Sequence, residues 1–145
     1  MELQFKENGL TPSLYNELRT IAGWGAYPEN QVQIALKNSL CTLTAFHNEK
    51  AVGIGRIVGD GAINFYIQDI IVRPEYQGQG VGKAIVEKLM TYAQANGIPG
   101  TSLALGLFAA KDKEEFYTKL GFSLRPNENR GAGMDISLVA GKDKA

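Results

Sequence analysis

The sequence contains few of the residue types that build disulfides, metal centres and nucleophilic dyads. Its 145 residues include one cysteine, Cys41, and one histidine, His47. One cysteine excludes a disulfide within the chain, and a zinc site would need more cysteine or histidine ligands. Both residues lie in an alternating apolar stretch, so we interpret them as a core thiol and a strand-end histidine. We therefore expect neither a metal site nor a cysteine–histidine dyad.

The sequence also lacks an excess of charge and long apolar runs. Lys plus Arg and Asp plus Glu both total 15, which gives a formal net charge of zero. Nucleic-acid-binding proteins usually carry a basic excess, so we expect no nucleic-acid partner. No apolar run approaches the roughly 18 residues of a membrane helix, and the first residues show no signal-peptide pattern. We therefore expect no membrane association and a cytoplasmic location.

Glycine, by contrast, is abundant and locally concentrated. Three glycines alternate with other residues between an apolar strand pattern and an amphipathic helix pattern, in the run Gln77, Gly78, Gln79, Gly80, Val81, Gly82 and Lys83. Because glycine lacks Cβ, the backbone N–H groups of such a loop can approach a ligand closely. The start of a helix also favours negative charge. This run therefore predicts a phosphate-binding loop.

The spacing of the glycines separates three kinds of phosphate loop. A Walker A loop needs G-x-x-x-x-G-K-[ST], but Gly78 and Gly82 are one residue too close and Ala84 replaces the Ser/Thr. A dinucleotide-binding loop needs G-x-G-x-x-G, and the interval from Gly80 to Gly82 is too short. The pattern that fits is Gln-x-x-Gly-x-Gly, starting at Gln77. It resembles the acyl-CoA pyrophosphate loop of the GCN5-related N-acetyltransferase (GNAT) family.

The periodicity along the rest of the chain predicts an α/β (α+β) protein with a single domain, residues 1–145. Strand patterns occupy residues 2–6, 40–46, 51–58, 63–72 and 101–108, and two closing strands are expected from Ser123 onward. Helices are expected from Thr11, from Pro28, after the glycine run and at 111–120. A crossover helix makes the fifth strand parallel to the fourth. Residues 141–145 should form a loose tail.

This order of elements is also that of the GNAT family, so the resemblance covers nearly the whole chain. It implies a mixed, mostly antiparallel sheet of six to seven strands flanked by about four helices, with the fourth and fifth strands splayed apart. It also implies an enzyme that moves an acetyl group from acetyl-CoA to a primary amine of a small molecule, by direct transfer in a ternary complex. The residues implied to bind CoA are those of the glycine run, Ile70, Ile71, Val72 and Phe116.

The resemblance implies two catalytic groups. Tyr117 matches the family's tyrosine that donates a proton to the CoA thiolate, and it can also pack within a helix cap. The family's glutamate positions correspond to Leu105 and Gln68, which cannot act as bases. Asp69 is the one carboxylate of the fourth strand, so we predict it as general base; a structural pairing with Arg56 is an equal alternative.

The acceptor pocket is expected between the first two helices and the fourth strand, as in the family. Trp24 and Tyr27 lie there among glycines, and with Gln68 they are predicted to contact the substrate; the alternative is that both aromatics anchor a loop. The surrounding sequence looks like small-molecule amine acetyltransferases. Pairing into a homodimer is common among relatives. The rival hypothesis is a non-catalytic acyl-CoA-binding module or sensor.

Overall fold

The computed structural model describes residues 1–141, and the chain divides into two compact units. The first unit, Met1–Phe108, contains these elements: β1 (Gln4–Glu7), α1 (Pro12–Ile21), α2 (Glu29–Lys37), β2 (Cys41–His47), β3 (Lys50–Gly59), β4 (Asn64–Val72), a 3₁₀ turn (Pro74–Tyr76), α3 (Val81–Asn96) and β5 (Ala104–Gly106). The second unit begins at Ala109 and contains α4 (Glu114–Thr118). The single domain expected from the sequence stays a prediction.

The strands of the first unit form one mixed sheet in the order β1-β2-β3-β4-β5. β1 to β4 are antiparallel to their neighbours, and β5 runs parallel to β4. This confirms the predicted mixed, mostly antiparallel sheet and the parallel pairing of its fourth and fifth strands. A parallel pair needs a long connection, which α3 supplies.

Local signals in the sequence set where the first helix begins. Thr11 is the N-cap of α1: its side chain accepts a hydrogen bond from the Leu14 amide at 3.2 Å, and Pro12 occupies the first turn. The predicted start of this helix is confirmed. Tyr15 and Leu18 are the buried residues of α1, so the helix packs through this side.

The sheet is a middle layer with helices on both faces. On one face Leu18 and Val32, from α1 and α2, pack in a core cluster with Ile54 of β3. On the other face α3 lies directly on the backbone of β3. A Cβ added at Gly55 would come within 2.8 Å of Ile85 Cγ2, so only glycine allows this approach. The start of α3 is thereby fixed against the sheet.

The prediction of six to seven strands is wrong, because the part of the chain that the structure describes contains five. Residues 123–141 form no strand, although apolar residues alternate there. Four of their side chains are between 79 and 97% exposed, namely Met134, Ile136, Leu138 and Val139. A strand needs a hydrogen-bonded neighbour and a buried face, and alternation alone supplies neither.

Two predicted elements are shorter than expected. β5 covers three residues rather than 101–108, because its pairing with β4 ends at Tyr66. α4 begins at Glu114, since Asp112 has a φ of +70° that a helix cannot contain. The expected loose tail lies, after Gly141, outside the described residues. Among residues 1–141 no helix is long and apolar enough to cross a membrane.

Candidate functional site

The glycine-rich loop leaves β4 through the 3₁₀ turn and runs into α3. Gly78 and Gly80 have φ angles of +74° and +86°, a region that favours glycine. A Cβ added at either position would meet no atom within 4 Å. The two glycines are therefore needed for the path of the backbone, and the loop presents that backbone to open space.

Six consecutive backbone amides of this loop, those of residues 78–83, donate no hydrogen bond within the described chain. The run is bounded by Gln77, whose amide donates to Pro74 O at 3.2 Å, and by Ala84, whose amide donates to Gly80 O at 3.0 Å. Three of the six belong to the first turn of α3, where the helix dipole is positive. Successive free amides of this kind form a concave anion site. The exposed Lys83 adds a positive charge at the same helix end.

The two glutamines of the loop have a structural role. Gln77 Nε2 donates to Val72 O at 3.0 Å, and Gln79 Nε2 donates to Glu75 O at 3.0 Å. These bonds tie the loop back to the end of β4 and to the 3₁₀ turn. Both side chains thus hold the loop in place, while its ligand-binding capacity lies in the backbone.

β4 contains a β-bulge at the start of the segment 70–72 that is predicted to bind CoA. Asp69 and Ile70 stand together opposite a single residue of β3, Gly55. Asp69 has a φ of +57°, in the left-handed region that aspartate tolerates better than most residues. A bulge bends a strand and increases its twist. Here it turns the second half of β4 away from the straight course of its first half.

The second half of β4 has a free edge. The ladder with β5 stops at Tyr66, whereas β4 continues to Val72 with no β5 partner among the described residues. The Arg73 amide donates to Val52 O of β3 at 2.9 Å. Because successive strand amides face opposite edges, the amides of Val72 and Ile70 face the β5 side. Ile71, between them, is buried with the core cluster.

Asp69 lies at the centre of a buried charge cluster. Its Oδ2 accepts hydrogen bonds from Tyr15 Oη and from Arg56 Nε, both at 2.8 Å. Its Oδ1 accepts from Arg19 Nη1 at 3.2 Å. The carboxylate is only 7% exposed, and both guanidinium groups are largely buried. The structural pairing with Arg56 considered above is therefore present, and a second arginine joins it.

The same cluster forms part of the wall of a cavity of about 240 Å³ between α1, α2, β3 and β4. The lining residues, from four elements and the loop before α2, are Tyr15, Arg19, Tyr27, Gln31, Val32, Ala35, Arg56, Gln68 and Asp69. The cavity thus lies in the region expected for the acceptor pocket. It brings together three of the predicted site residues, Tyr27, Gln68 and Asp69.

Trp24 does not line this cavity, and its contact is with Arg19. The guanidinium carbon of Arg19 lies 5.6 Å from the Trp24 ring centroid and 4.5 Å from that of Tyr27. Arg19 also donates to the carbonyl oxygens of Trp24 and Gly25 at 3.2 and 2.9 Å. The two aromatic residues therefore anchor their loop on Arg19, and Tyr27 additionally faces the cavity.

Tyr15 is held as a neutral hydrogen-bond donor. Burial raises the pKa of its phenol, and the neighbouring Asp69 carboxylate raises that pKa further. A protonated phenol donates to the carboxylate, and its ionisation would place two negative charges side by side. Tyr15 therefore positions Asp69 without exchanging protons near neutral pH.

Tyr117 and Phe116 lie in the second unit, on α4. Their rings contact each other at 4.9 Å between centroids, and the Tyr117 ring contacts Phe122 at 5.9 Å. The Phe122 amide donates to Tyr117 O at 3.1 Å, so Tyr117 packs within the helix cap as predicted. The phenol hydroxyl has no hydrogen-bond partner in the described chain, and burial raises its pKa. Donation of the Tyr117 hydroxyl proton to the CoA thiolate stays a prediction.

Cys41 and His47 do not form a catalytic pair. They are the first and last residues of β2, and Cys41 is 1% exposed. Burial raises the pKa of the Cys41 thiol to about 11, so the reactive thiolate is scarce at neutral pH. His47 packs edge-on against the Tyr76 ring, with centroids 5.7 Å apart. The core thiol and strand-end histidine are confirmed.

Sequence reasoning missed Tyr15 and Arg19 as site residues. They are four residues apart on α1, which places them on one face of the helix, and that spacing was the available signal. Nothing in the sequence indicated that this face meets the bulge of β4. That meeting is a tertiary contact, since 50 residues separate Arg19 from Asp69.

The chain belongs to the acetyltransferase (GNAT) family, whose model matches residues 11–122. Histone acetyltransferase TAP1 from Glycine max is 35% identical over 120 residues, which cover 75% of this chain and 50% of that protein. Serotonin N-acetyltransferase 2, chloroplastic, from Oryza sativa subsp. japonica is 29% identical over 127 residues, which cover 85% of this chain and 62% of that protein. These relatives are named for different acceptors, so family membership leaves the acceptor open.

A solved structure from meticillin-resistant Staphylococcus aureus, a probable acetyltransferase, matches with a TM-score of 0.81 and 31% identity, covering 94% of this chain and 100% of that one. The fold is therefore of GNAT type. The chain spans about half to under two thirds of the length of the first curated relatives it matches.

The residues present fit the acetyl-CoA that the family implies. A pyrophosphate needs several donors on a concave backbone, and residues 78–83 supply six free amides at the positive end of a helix. The free edge of β4, with the amides of Ile70 and Val72, adjoins this loop along the chain. The fit rests on backbone groups of the first unit alone.

Proposed function

We propose that this protein acetylates the primary amine of a small molecule, using acetyl-CoA, by direct transfer in a ternary complex. The observation that carries the proposal is the run of six free amides at the start of α3, directly after a bulged strand with a free edge. Bound acetyl-CoA supplies an acetyl group on a thioester. The remaining requirements fall on the protein's own groups.

The loop amides bind and orient the donor. Hydrogen bonds from fixed backbone amides to a charged pyrophosphate are strong and require no rearrangement of side chains. The bonds from Gln77 and Gln79 to the backbone keep this surface preorganised. The amides of Ile70 and Val72 face the free edge, where an N–H group can stabilise the negative charge that develops on a carbonyl oxygen.

The cavity supports a small acceptor. Its volume of about 240 Å³ lies just below the range of about 300–1,000 Å³ that is usual for ligand pockets, which suits a small molecule. Gln68 and Tyr27 line the cavity, which supports their proposed contacts with such a molecule. The absence of a covalent intermediate is supported by Cys41, whose thiol is buried and protonated near neutral pH.

Asp69 is assigned a positioning role. Its two oxygens already accept three hydrogen bonds, two of them from guanidinium groups. Three of the roughly four lone-pair sites of the carboxylate are thus occupied by protein donors, which leaves about one for a substrate. General base catalysis by Asp69 remains a prediction, as does protonation of the leaving thiolate by Tyr117. A homodimer and a cytoplasmic location are also proposals.

Charge placed in the loop tests donor binding. Gly80→Asp should weaken CoA affinity at least about tenfold, because a carboxylate would face the pyrophosphate. Gly80→Asn has nearly the same shape and also tolerates the left-handed region, so it isolates the charge. Isothermal titration with CoA measures both, together with turnover by thiol release on a panel of primary amines.

Gly100→Asp is the matched control for backbone strain. Gly100 has a φ of +84° and open space around its Cβ, like Gly80, but lies outside the loop. We expect its CoA affinity to equal that of the wild type. Unchanged affinity in Gly80→Asp would refute the loop assignment. Tight CoA binding without turnover on any amine would favour the sensor over the enzyme.

A further inference from the structure

The acceptor cavity carries more positive than negative charge. Arg19, Arg56 and Asp69 are its charged lining residues. Their side chains are exposed by only 12, 14 and 7%, so water screens them weakly. One carboxylate balances one of the two guanidinium groups. The cavity wall therefore keeps one formal positive charge.

Arg19 uses all three of its guanidinium nitrogens in hydrogen bonds within the protein. Its Nε and Nη2 donate to the carbonyl oxygens of Gly25 and Trp24, and its Nη1 donates to Asp69. Three aromatic rings surround its guanidinium group, at centroid distances of 4.5 to 5.9 Å. This arginine holds the loop before α2 and leaves little of its surface for a ligand.

Arg56 is only partly committed. Its Nε donates to Asp69 Oδ2 at 2.8 Å and its Nη1 donates to Ser39 Oγ at 3.1 Å. A guanidinium group has five N–H donors. Nη2 donates no hydrogen bond to any residue in the range 1–141, and one N–H of Nη1 is also free. A largely buried charged group that lines the cavity thus keeps unused donors.

We infer that the acceptor amine carries an anionic group, a carboxylate or a phosphate, and that Arg56 binds this group in the cavity. The inference rests on the function proposed above. Nη2 and the second N–H of Nη1 are the donors left for the oxygens of either anion, and a guanidinium group can bind such oxygens with two N–H groups at once. An anion there neutralises the excess charge and supplies the hydrogen bonds that the guanidinium group lacks.

Two further lining residues complete a site for such a molecule. The side-chain amides of Gln31 and Gln68 make no hydrogen bond within the described chain, and both residues line the cavity. They are neutral, so they can hold an amine without adding charge. A polycationic acceptor is disfavoured, because its charges would meet the surplus positive charge of the wall. Arg56 and Gln68 are cross-strand neighbours, which places anion and amine recognition side by side.

Matched pairs of amines test the inference. Phenylalanine is compared with phenethylamine, and O-phosphoethanolamine with ethanolamine, in kcat/KM for thiol release with saturating acetyl-CoA. In at least one pair, kcat/KM for the amine that carries the anionic group should exceed kcat/KM for its counterpart without that group by at least about tenfold. The reason is that Arg56 makes charge-assisted hydrogen bonds to the anionic group, which the counterpart lacks. The pair that responds identifies the anion as carboxylate or phosphate.

Two variants tie the preference to the cavity charge. Arg56→Gln should remove the preference by lowering kcat/KM for the anionic member, with kcat/KM for its counterpart changed much less. Because Asp69 loses a partner in Arg56→Gln, a second variant keeps the cluster intact. Gln68→Glu leaves Arg56 in place, balances the charge of the wall and should also abolish the preference. CoA titration of both variants should give wild-type affinity.

The outcomes separate this inference from the proposed function. If the wild-type protein does not bind CoA, the proposed acetyltransferase function is refuted. CoA binding with equal or better turnover of the uncharged amines would refute the anionic acceptor alone. If no amine of the panel is turned over, titration of the CoA-saturated protein with each anionic amine decides. Failure of all of them to bind, or equal binding to the wild type and both variants, overturns the inference.

Discussion

Asp69 has two structural roles: its backbone forms the bulge of β4, and its carboxylate pairs with two arginines of the cavity wall. A substitution that keeps the backbone conformation and removes the charge tests the second role alone. Asp69→Asn keeps the size of the side chain and a residue that tolerates a φ of +57°. The change leaves Arg19 and Arg56 without a counter-ion in a largely buried site. Removing one partner of a buried ion pair costs about 3–5 kcal/mol, so we expect a loss of that order in the free energy of unfolding. Urea denaturation measures it.

Glu75→Gln is the control for this loss. It removes the partner of Lys50 at 3.6 Å, but the two side chains are 59% and 50% exposed, and an exposed pair contributes about 0–1 kcal/mol. The alternative role of Asp69 predicts a different result. If Asp69 is the general base, Asp69→Asn should also remove the acidic limb of the pH–rate profile, whatever its effect on stability. Loss of that limb would contradict a role in positioning alone.

Tyr117 offers a second test at the level of one atom. Tyr117→Phe removes the hydroxyl and keeps the ring contacts with Phe116 and Phe122. Burial raises the pKa of the phenol, so it stays protonated through the neutral range and can donate. As a general acid it would contribute roughly 10²–10⁴-fold to kcat. We expect a fall of this order in kcat with unchanged CoA affinity by titration.

Phe122→Leu is the matched control for Tyr117. It loosens the packing of the tyrosine ring and keeps the hydroxyl. This variant should lower the melting temperature more than it lowers kcat. Equal kcat in Tyr117→Phe and the wild type would leave the tyrosine with its role in the helix cap alone.

At the scale of elements, the turn between β3 and β4 depends on one carboxylate. Asp60 Oδ1 accepts hydrogen bonds from the amides of Ala62, Ile63 and Asn64 at 2.8 to 3.0 Å. These bonds lower the pKa of Asp60 from 3.8 to about 2. Because the pKa of Asp60 is lower in the folded state than in the unfolded state, its stabilisation of the folded turn is fully present above a pH of about 3.8. This stabilisation is lost as the pH falls through about 2.

The pH dependence of this turn is therefore predictable. Amide hydrogen exchange at residues 62–64 should be slower in the wild type than in Asp60→Asn near neutral pH. The difference should vanish as the pH falls through about 2, when Asp60 is protonated. Asp112→Asn, on a loop of the second unit, is the control and should not alter exchange at these amides. A difference that persists unchanged at the lowest pH would contradict the role of the carboxylate.

The elements up to α3 were predictable because their signals are local. A threonine cap followed by proline fixes the start of α1, and the glycine at 80 fixes that of α3. The hairpin after Gly59 is encoded in its own turn residues. The strands expected after Ser123 had only alternation to support them, and alternation does not supply a partner. Their absence is a failure of pairing, which depends on distant parts of the chain.

The candidate site also has a part that local sequence signals predict and a part that depends on tertiary contacts. The donor loop was predicted because its glycines are contiguous and their conformation is a local property. The bulge at Asp69 was not, because it depends on how β3 and β4 align and on the arginines that bind the carboxylate. The aromatic residues at 24 and 27 were predicted to contact the substrate. The structure instead places both of their rings on Arg19, which changes the character of the pocket.

At the scale of the whole molecule, exposed apolar residues near the end of the described chain predict self-association. The exposure of Ile136, Leu138 and their apolar neighbours is 79 to 97%. Exposed apolar side chains grouped in one segment favour an interface, and their alternation suits pairing with a sheet edge of a second copy. We expect sedimentation velocity to show a dimer whose population rises with concentration across the micromolar range.

Ile136→Lys combined with Leu138→Lys should yield a monomer, because two buried charges would oppose the interface. Ile98→Lys places the same charge at an apolar residue 63% exposed in the first unit, and it should leave the dimer intact. A wild-type protein that sediments as a monomer throughout this range would refute the homodimer.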